Sequence, residues 1–146
     1  MTTSKPASFM ALPLRAQIRL VEAVCALGFA HFLCAFIPFR IWAGWHGDTD
    51  KGLNADSRAL RHGENIAWAI GKAVHVLPLK SRCLPNAVAA RSMLSRRGVR
   101  SHLHIAVRPD RLSPADVPEF HAWLTIGPQV VVGGEDLEGY KAFEEL

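Results

Sequence analysis

The stretch CLPNAVAARSMLSRRGVRSHLHIAVR, residues 83–108, contains the change of period that decides the fold. Its first part, Cys83 to about Arg97, reads as a helix, with Pro85 in the first turn and Gly98 just past the end. After Gly98 the pattern alternates. Val99, Ser101, Leu103, Ile105 and Val107 take one side, and Arg100, His102, His104, Ala106 and Arg108 take the other. Alternation of this kind is a strand with one side toward a core. Upstream, Leu12-Pro13 opens a helix whose Leu14, Ile18, Val21 and Cys25 share a face, and Pro38 ends it. Gly44 to Asp48 reads as a loop. A second helix covers about Ala55 to Val76, with Ile66, Ile70, Ala73 and Leu77 at helical spacing, and Pro78 stops it. Downstream, Pro109 to Pro118 is a loop. Phe120 to Ile126 and Gln129 to Val132 then form a hairpin around Gly127-Pro128. Helices followed by a small antiparallel sheet define an α+β fold.

Composition narrows the class. A chain of 146 residues, 49% of them hydrophobic, is expected to form one compact domain with a real core. Within it, residues 1–50 form an N-terminal helical segment suited to a partner, and residues 51–146 the core unit. The net charge of +4 is a modest basic bias. It suits an acidic peptide or a protein partner and does not call for nucleic acid. Cys25, Cys34 and Cys83 are too few and too irregular for a disulfide framework or a zinc knuckle, so reduced thiols in the cytoplasm are expected. Cys25 and Cys34 read as small buried hydrophobes. The apolar run Ala23 to Phe39 is short of a clean membrane span and is broken by Gly28, His31 and Pro38. It reads as a buried or partner-facing helix, with membrane association as the alternative. No metal or cofactor is expected: His102 and His104 share a strand face but lack a third ligand, and an exposed face is the simpler reading.

Cys83 opens a helix and follows Arg82. The positive end of the helix dipole and the guanidinium both favour a thiolate, the nucleophilic form. A cysteine nucleophile needs a base within hydrogen-bond reach and a group that orients the base. His121, early in the strand Phe120 to Ile126, is the candidate base. The hairpin would set it opposite residues near Gly134 and Glu135, so Glu135 and Asp136 are the candidate orienting acids. Trp123 falls on the same strand face as His121 and could shield the imidazole. The tryptophans, Trp42, Trp45, Trp68 and Trp123, are expected to anchor the core or its edge. Arg91, Arg96, Arg97 and Arg100 cluster about the end of the third helix, where they complement its dipole or dock an acidic peptide.

Taken together, these features resemble the lasso-peptide leader peptidases, a bacterial transglutaminase-like family. The residues that carry the likeness are Pro38-Phe39-Arg40, the segment from Leu77-Pro78 to Cys83-Leu84, Met93 to Val99, the strand Leu103 to Arg108, and His121-Ala122-Trp123. The resemblance implies a papain- or transglutaminase-like core and a cysteine peptidase that removes the leader from a ribosomally made precursor. Cys83 would be the nucleophile and His121 the general base. It also implies a small leader-recognition protein and an ATP-dependent macrolactam synthetase as partners. Many family members place an Asp where this chain has Gly133, so the third member of the site does not carry over. A non-catalytic precursor-binding module is a rival reading, as is an acyltransferase or deamidase using the same Cys-His pair.

Overall fold

The computed structural model describes residues 9–38, 41, 56–78, 83–107, 120–134 and 141–142. Trp42, Trp45, Arg82, Glu135, Asp136 and the two expected loops at 44–48 and 109–118 lie outside the described residues. Three helices come first: α1 (Leu14–Phe36), α2 (Ser57–Val76) and α3 (Cys83–Ser95). Four strands follow: β1 (His102–Val107), β2 (Phe120–Ile126), β3 (Gln129–Val132) and β4 (Lys141–Ala142).

Local chemistry sets the helix ends. Ile37 and Leu77 are both extended, with ψ of 123° and 134°, and each precedes a proline. The proline ring excludes the helical region for the residue before it, so α1 and α2 stop by the same device. Asp56 caps α2 by accepting the Arg58 N–H at 3.1 Å. At the end of α3, Gly98 takes φ +68°. The Val99 N–H then reaches Leu94 O and the Gly98 N–H reaches Ser95 O, both at 3.0 Å. This pair of bonds satisfies carbonyls that the helix end leaves open.

The helices and sheet stack in layers around α3. Helix α1 packs on α3 and α2, and the sheet packs on them from the other side. Helix α3 therefore buries residues on several faces: Pro85, Ala87, Ala89, Ala90, Met93 and Leu94. One core joins Leu27 of α1, Ile66 of α2, Met93 and Leu94 of α3, and Leu124 of β2, all at most 1% exposed. Each such side chain contributes about 1.5–3 kcal/mol of burial. Arg97 ties the layers at one end, donating to both carboxylate oxygens of Glu22 on α1 at 3.0 and 2.6 Å, and to Met93 O at 2.8 Å.

Two expectations about side-chain placement change. Helix α1 buries Ala23, Ala26, Leu27, Ala30 and Leu33, the small residues that let helices approach closely. The face of Leu14, Ile18, Val21 and Cys25 is the solvent face instead. Cys25 is thus exposed, not a buried hydrophobe. Trp68, 38% exposed, lies outside the buried core, which leaves it the core edge.

The sheet has the order β3-β2-β1-β4 and is antiparallel throughout. The hairpin strands match expectation, whereas β1 begins at His102, three residues later than the alternation at Val99 suggested. Strand β4, which pairs its Ala142 with Ala106, was not foreseen in the short tail. The pairing Leu103↔Leu124 and Ile105↔Ala122 gives the helix-facing side. The other side aligns His102↔Thr125, His104↔Trp123 and Ala106↔His121. That second side is not the exposed face expected for the histidines. Ala106 is fully buried, and His104 is half-buried, bonded to Thr125 Oγ1 at 3.0 Å and stacked on Trp123 with ring centres 5.0 Å apart.

Candidate active site

Cys83 is the first residue of α3 and His121 the second of β2, and the layering brings both to one open cavity of about 870 Å³. Ala67, Ile70, Gly71, Val74 and His75 of α2 form one wall, and β3 with Gly133 and Gly134 forms another. Asn86, one helical turn beyond Cys83, lines the same space. Sequence reasoning passed over Asn86; its spacing of three from a helix-opening cysteine was the available signal.

The thiol of Cys83 lies 3.7 Å from the carbonyl oxygen of Phe120, the residue directly before His121. Its Sγ therefore rests at the start of β2, beside the imidazole's own backbone. On the other side, His121 Nε2 is 2.8 Å from Gly133 O. A carbonyl oxygen can only accept, so Nε2 carries the proton in this arrangement. In the neutral ring Nδ1 is then the basic nitrogen, the one a general base would use.

Gly133 thus orients the imidazole with its backbone, although it has no side chain to do so. The local geometry explains why glycine stands there. Its φ is +78°, and a Cβ would fall 2.6 Å from Ala122 O and 3.1 Å from Trp123 Cα. A β-bulge prepares this position. Thr125 pairs with Val130 but Leu124 pairs with Val132, so Val131 is the extra residue. The slip advances the pairing by one and lays Gly133 against Trp123, diagonal to His121. Trp123 also lies near the imidazole, with ring centres 6.1 Å apart and planes 24° from parallel.

The remaining sequence candidates divide. Glu135 and Asp136 lie outside the described residues. Among the described residues no group of three or more His, Cys, Asp or Glu could hold a metal ion, and His102 and His104 gain no third ligand. Arg97 is committed to Glu22, whereas Arg96, its side chain 71% exposed, only approaches the same carboxylate at 3.9 Å.

A thiol at a helix start and an imidazole lining the same open cavity are the groups that acyl transfer through a thioester requires. The comparison with protein families matches residues 23–146 to the Transglutaminase-like superfamily. The match covers most of the chain, and the protein belongs to this superfamily, whose members are typically enzymes containing a Cys and a His and include cysteine peptidases and transglutaminases. The α+β arrangement described above fits its papain-like core. Searches of curated proteins and of solved structures gave no match.

Proposed function

We propose that this chain is a cysteine peptidase that removes the leader from a ribosomally made lasso-peptide precursor. The observation that carries the proposal is the shared cavity, which both Cys83 and His121 line, with the Gly133 carbonyl accepting from His121 Nε2. The choice of a leader peptide as substrate rests on the sequence resemblance.

Strand β3 lies at the sheet edge and lines the cavity, so its outer backbone groups are suited to an extended peptide added as a further strand. His121 Nδ1 takes the thiol proton as Sγ attacks the carbonyl at the leader–core junction. The tetrahedral oxyanion collapses, the C–N bond breaks, and the imidazolium protonates the departing amine, which becomes the core N-terminus. His121 then deprotonates a water that attacks the thioester. The leader leaves as a carboxylic acid and the thiol is restored. The backbone N–H of Cys83, at a helix start where amides have no partner within the helix, is the natural oxyanion donor. A small leader-recognition protein delivers the precursor, and an ATP-dependent macrolactam synthetase consumes the released core.

Precursor cleavage followed by mass spectrometry, with and without the leader-recognition protein, tests this. Cys83→Ala and His121→Ala should each abolish cleavage while circular dichroism stays native. Wild-type cleavage by either variant would reject the dyad. Glu135→Ala and Asp136→Ala should keep most of their rate, because a backbone carbonyl already orients His121. A leader–amine adduct in place of the free leader acid would point to acyl transfer to amines instead.

A further inference from the structure

The largest feature that the cavity leaves unexplained is the outer face of α1. Leu14 (69% exposed), Ile18 (60%), Val21 (54%), the exposed Cys25, Phe29 (59%), Phe32 (54%) and Phe36 (73%) follow one another at three- or four-residue steps along one side of it. Exposed apolar surface on this scale marks an interaction site. The stripe is continuous over a helix about 34 Å long.

The same helix is, by length and composition, apolar enough to cross a membrane. The packing argues against a crossing. Ala23, Leu27 and Ala30, on the opposite side, are at most 1% exposed against α2 and α3. Insertion across a bilayer would strip that face from the core. Arg15, Arg19 and Glu22 also occupy the first half of α1, leaving residues 23–36 free of Asp, Glu, Lys and Arg. That segment is about 21 Å long, short of the roughly 30 Å hydrocarbon layer.

Charge on the flank selects the partner. Helical spacing puts Arg15 and Arg19 on the side of the stripe nearer α3. A groove of about 520 Å³ continues that flank, lined by Phe29, Ala30 and Leu33 together with the exposed Arg96. The carboxylate of α1, Glu22, is taken up by Arg97. The helix therefore presents an apolar ridge edged by arginines. A convex ridge of this kind suits a fluid acyl layer, which needs no matching groove, and the arginines suit phosphate headgroups.

We infer that α1 docks the folded protein onto an anionic phospholipid surface, lying in the membrane plane with Leu14, Ile18, Val21, Phe29, Phe32 and Phe36 in the acyl boundary. Flotation of the full chain with phosphatidylcholine vesicles, and with mixed phosphatidylcholine–phosphatidylglycerol vesicles, tests it without any need for peptidase activity. The protein should float with the mixed vesicles, and alkaline carbonate should release it. Phe29→Glu with Phe32→Glu should abolish flotation; both sites are exposed, so the fold is retained. Arg15→Gln with Arg19→Gln should weaken it by roughly thirtyfold, since each arginine near an anionic surface is worth about a factor of five. Cys25, inside the stripe, should be shielded from a water-soluble maleimide on the mixed vesicles, while Cys83 should react as in solution. Failure to float, or flotation that neither double variant weakens, overturns the inference. So does carbonate-resistant insertion, which would mean a spanning helix. A lipid-free dimer abolished by the phenylalanine variants, with no vesicle binding, would assign the stripe to a second copy instead.

Discussion

Gly133 is the residue on which the candidate site turns, since its side-chain-free backbone is both what fits and what orients His121. Gly133→Ala places a Cβ 2.6 Å from a backbone oxygen at φ +78°. Backbone atoms cannot move aside as a side-chain tip can, so the carbonyl must shift away from His121. The expected outcome is a loss of about 1–3 kcal/mol in thermal unfolding together with a fall in kcat. Gly98→Ala is the matched control. It has a similar φ of +68° but nothing within 4 Å of the added carbon, so it should lose about 1 kcal/mol and keep kcat. Two other residues set the pH response of stability. The imidazole of His62 is held below its ordinary value, first by burial and then by Arg58, Arg97, Arg19 and Arg61. Unfolded chains then bind the proton more readily than the fold does, so stability falls as pH drops below about 6.5. The carboxyl of Glu22 is held below its ordinary value by the hydrogen bond from Arg97, against an opposing effect of burial. Its contribution is complete above about pH 4.5 and is lost only as pH falls through the lowered value. Urea midpoints measured against pH should therefore show two acid-side declines. His62→Gln should flatten the upper one and Glu22→Gln the lower one.

At the scale of elements, the seat of α2 on the hairpin sets the bulge. A Cβ on Gly63 would meet Ile126 Cδ1 at 2.8 Å and Val131 Cγ1 at 2.9 Å. Val131 is the bulged residue, and the bulge sets where the Gly133 carbonyl falls. Gly63→Ala should therefore cost about 1–3 kcal/mol by overpacking and also lower kcat, although Gly63 does not line the cavity. Gly28→Ala on α1, with nothing within 4 Å, should raise stability by about 0.5–1 kcal/mol through helix propensity alone and leave kcat unchanged. Differential scanning calorimetry with single-turnover cleavage separates the two effects. The order of the helices and of β1 to β3 was legible in the sequence because local signals mark their ends: Pro38, Pro78, Gly98 and the Gly127-Pro128 turn act within a few residues. The start of β1 was less legible. Val99 to Ser101 alternate as a strand would, but Val99 is spent in closing α3, and strand pairing begins only at His102.

For the whole molecule, the layering puts the two proposed activities on different sides. Helix α1 lies on the face of α3 and α2 away from the sheet, whereas the Cys83–His121 cavity opens between those helices and β2–β3. Docking through α1 would leave the cavity in water. Cleavage of a soluble precursor should therefore proceed at the solution rate when the protein is bound to phosphatidylglycerol-containing vesicles, as followed by mass spectrometry of the released core. Strong inhibition on vesicles would mean that the cavity mouth faces the lipid, contrary to the layering.

Sequence alone determined the order of the three helices and of β1 to β3, most of their ends, and the pairing of Cys83 with His121 as the candidate site. These follow from steric rules and capping chemistry that act between near neighbours, and from a hydrophobic period that repeats locally. Tertiary structure alone decided which side of α1 is buried. Both sides are apolar, and only the fit of small residues against α2 and α3 selects Ala23, Leu27 and Ala30 over Leu14, Ile18 and Phe29. It also decided what holds His121. A backbone carbonyl has no letter in a sequence, and this one reaches the imidazole only because the bulge at Val131 and the close approach of Gly133 to β2 bring distant parts of the chain into register.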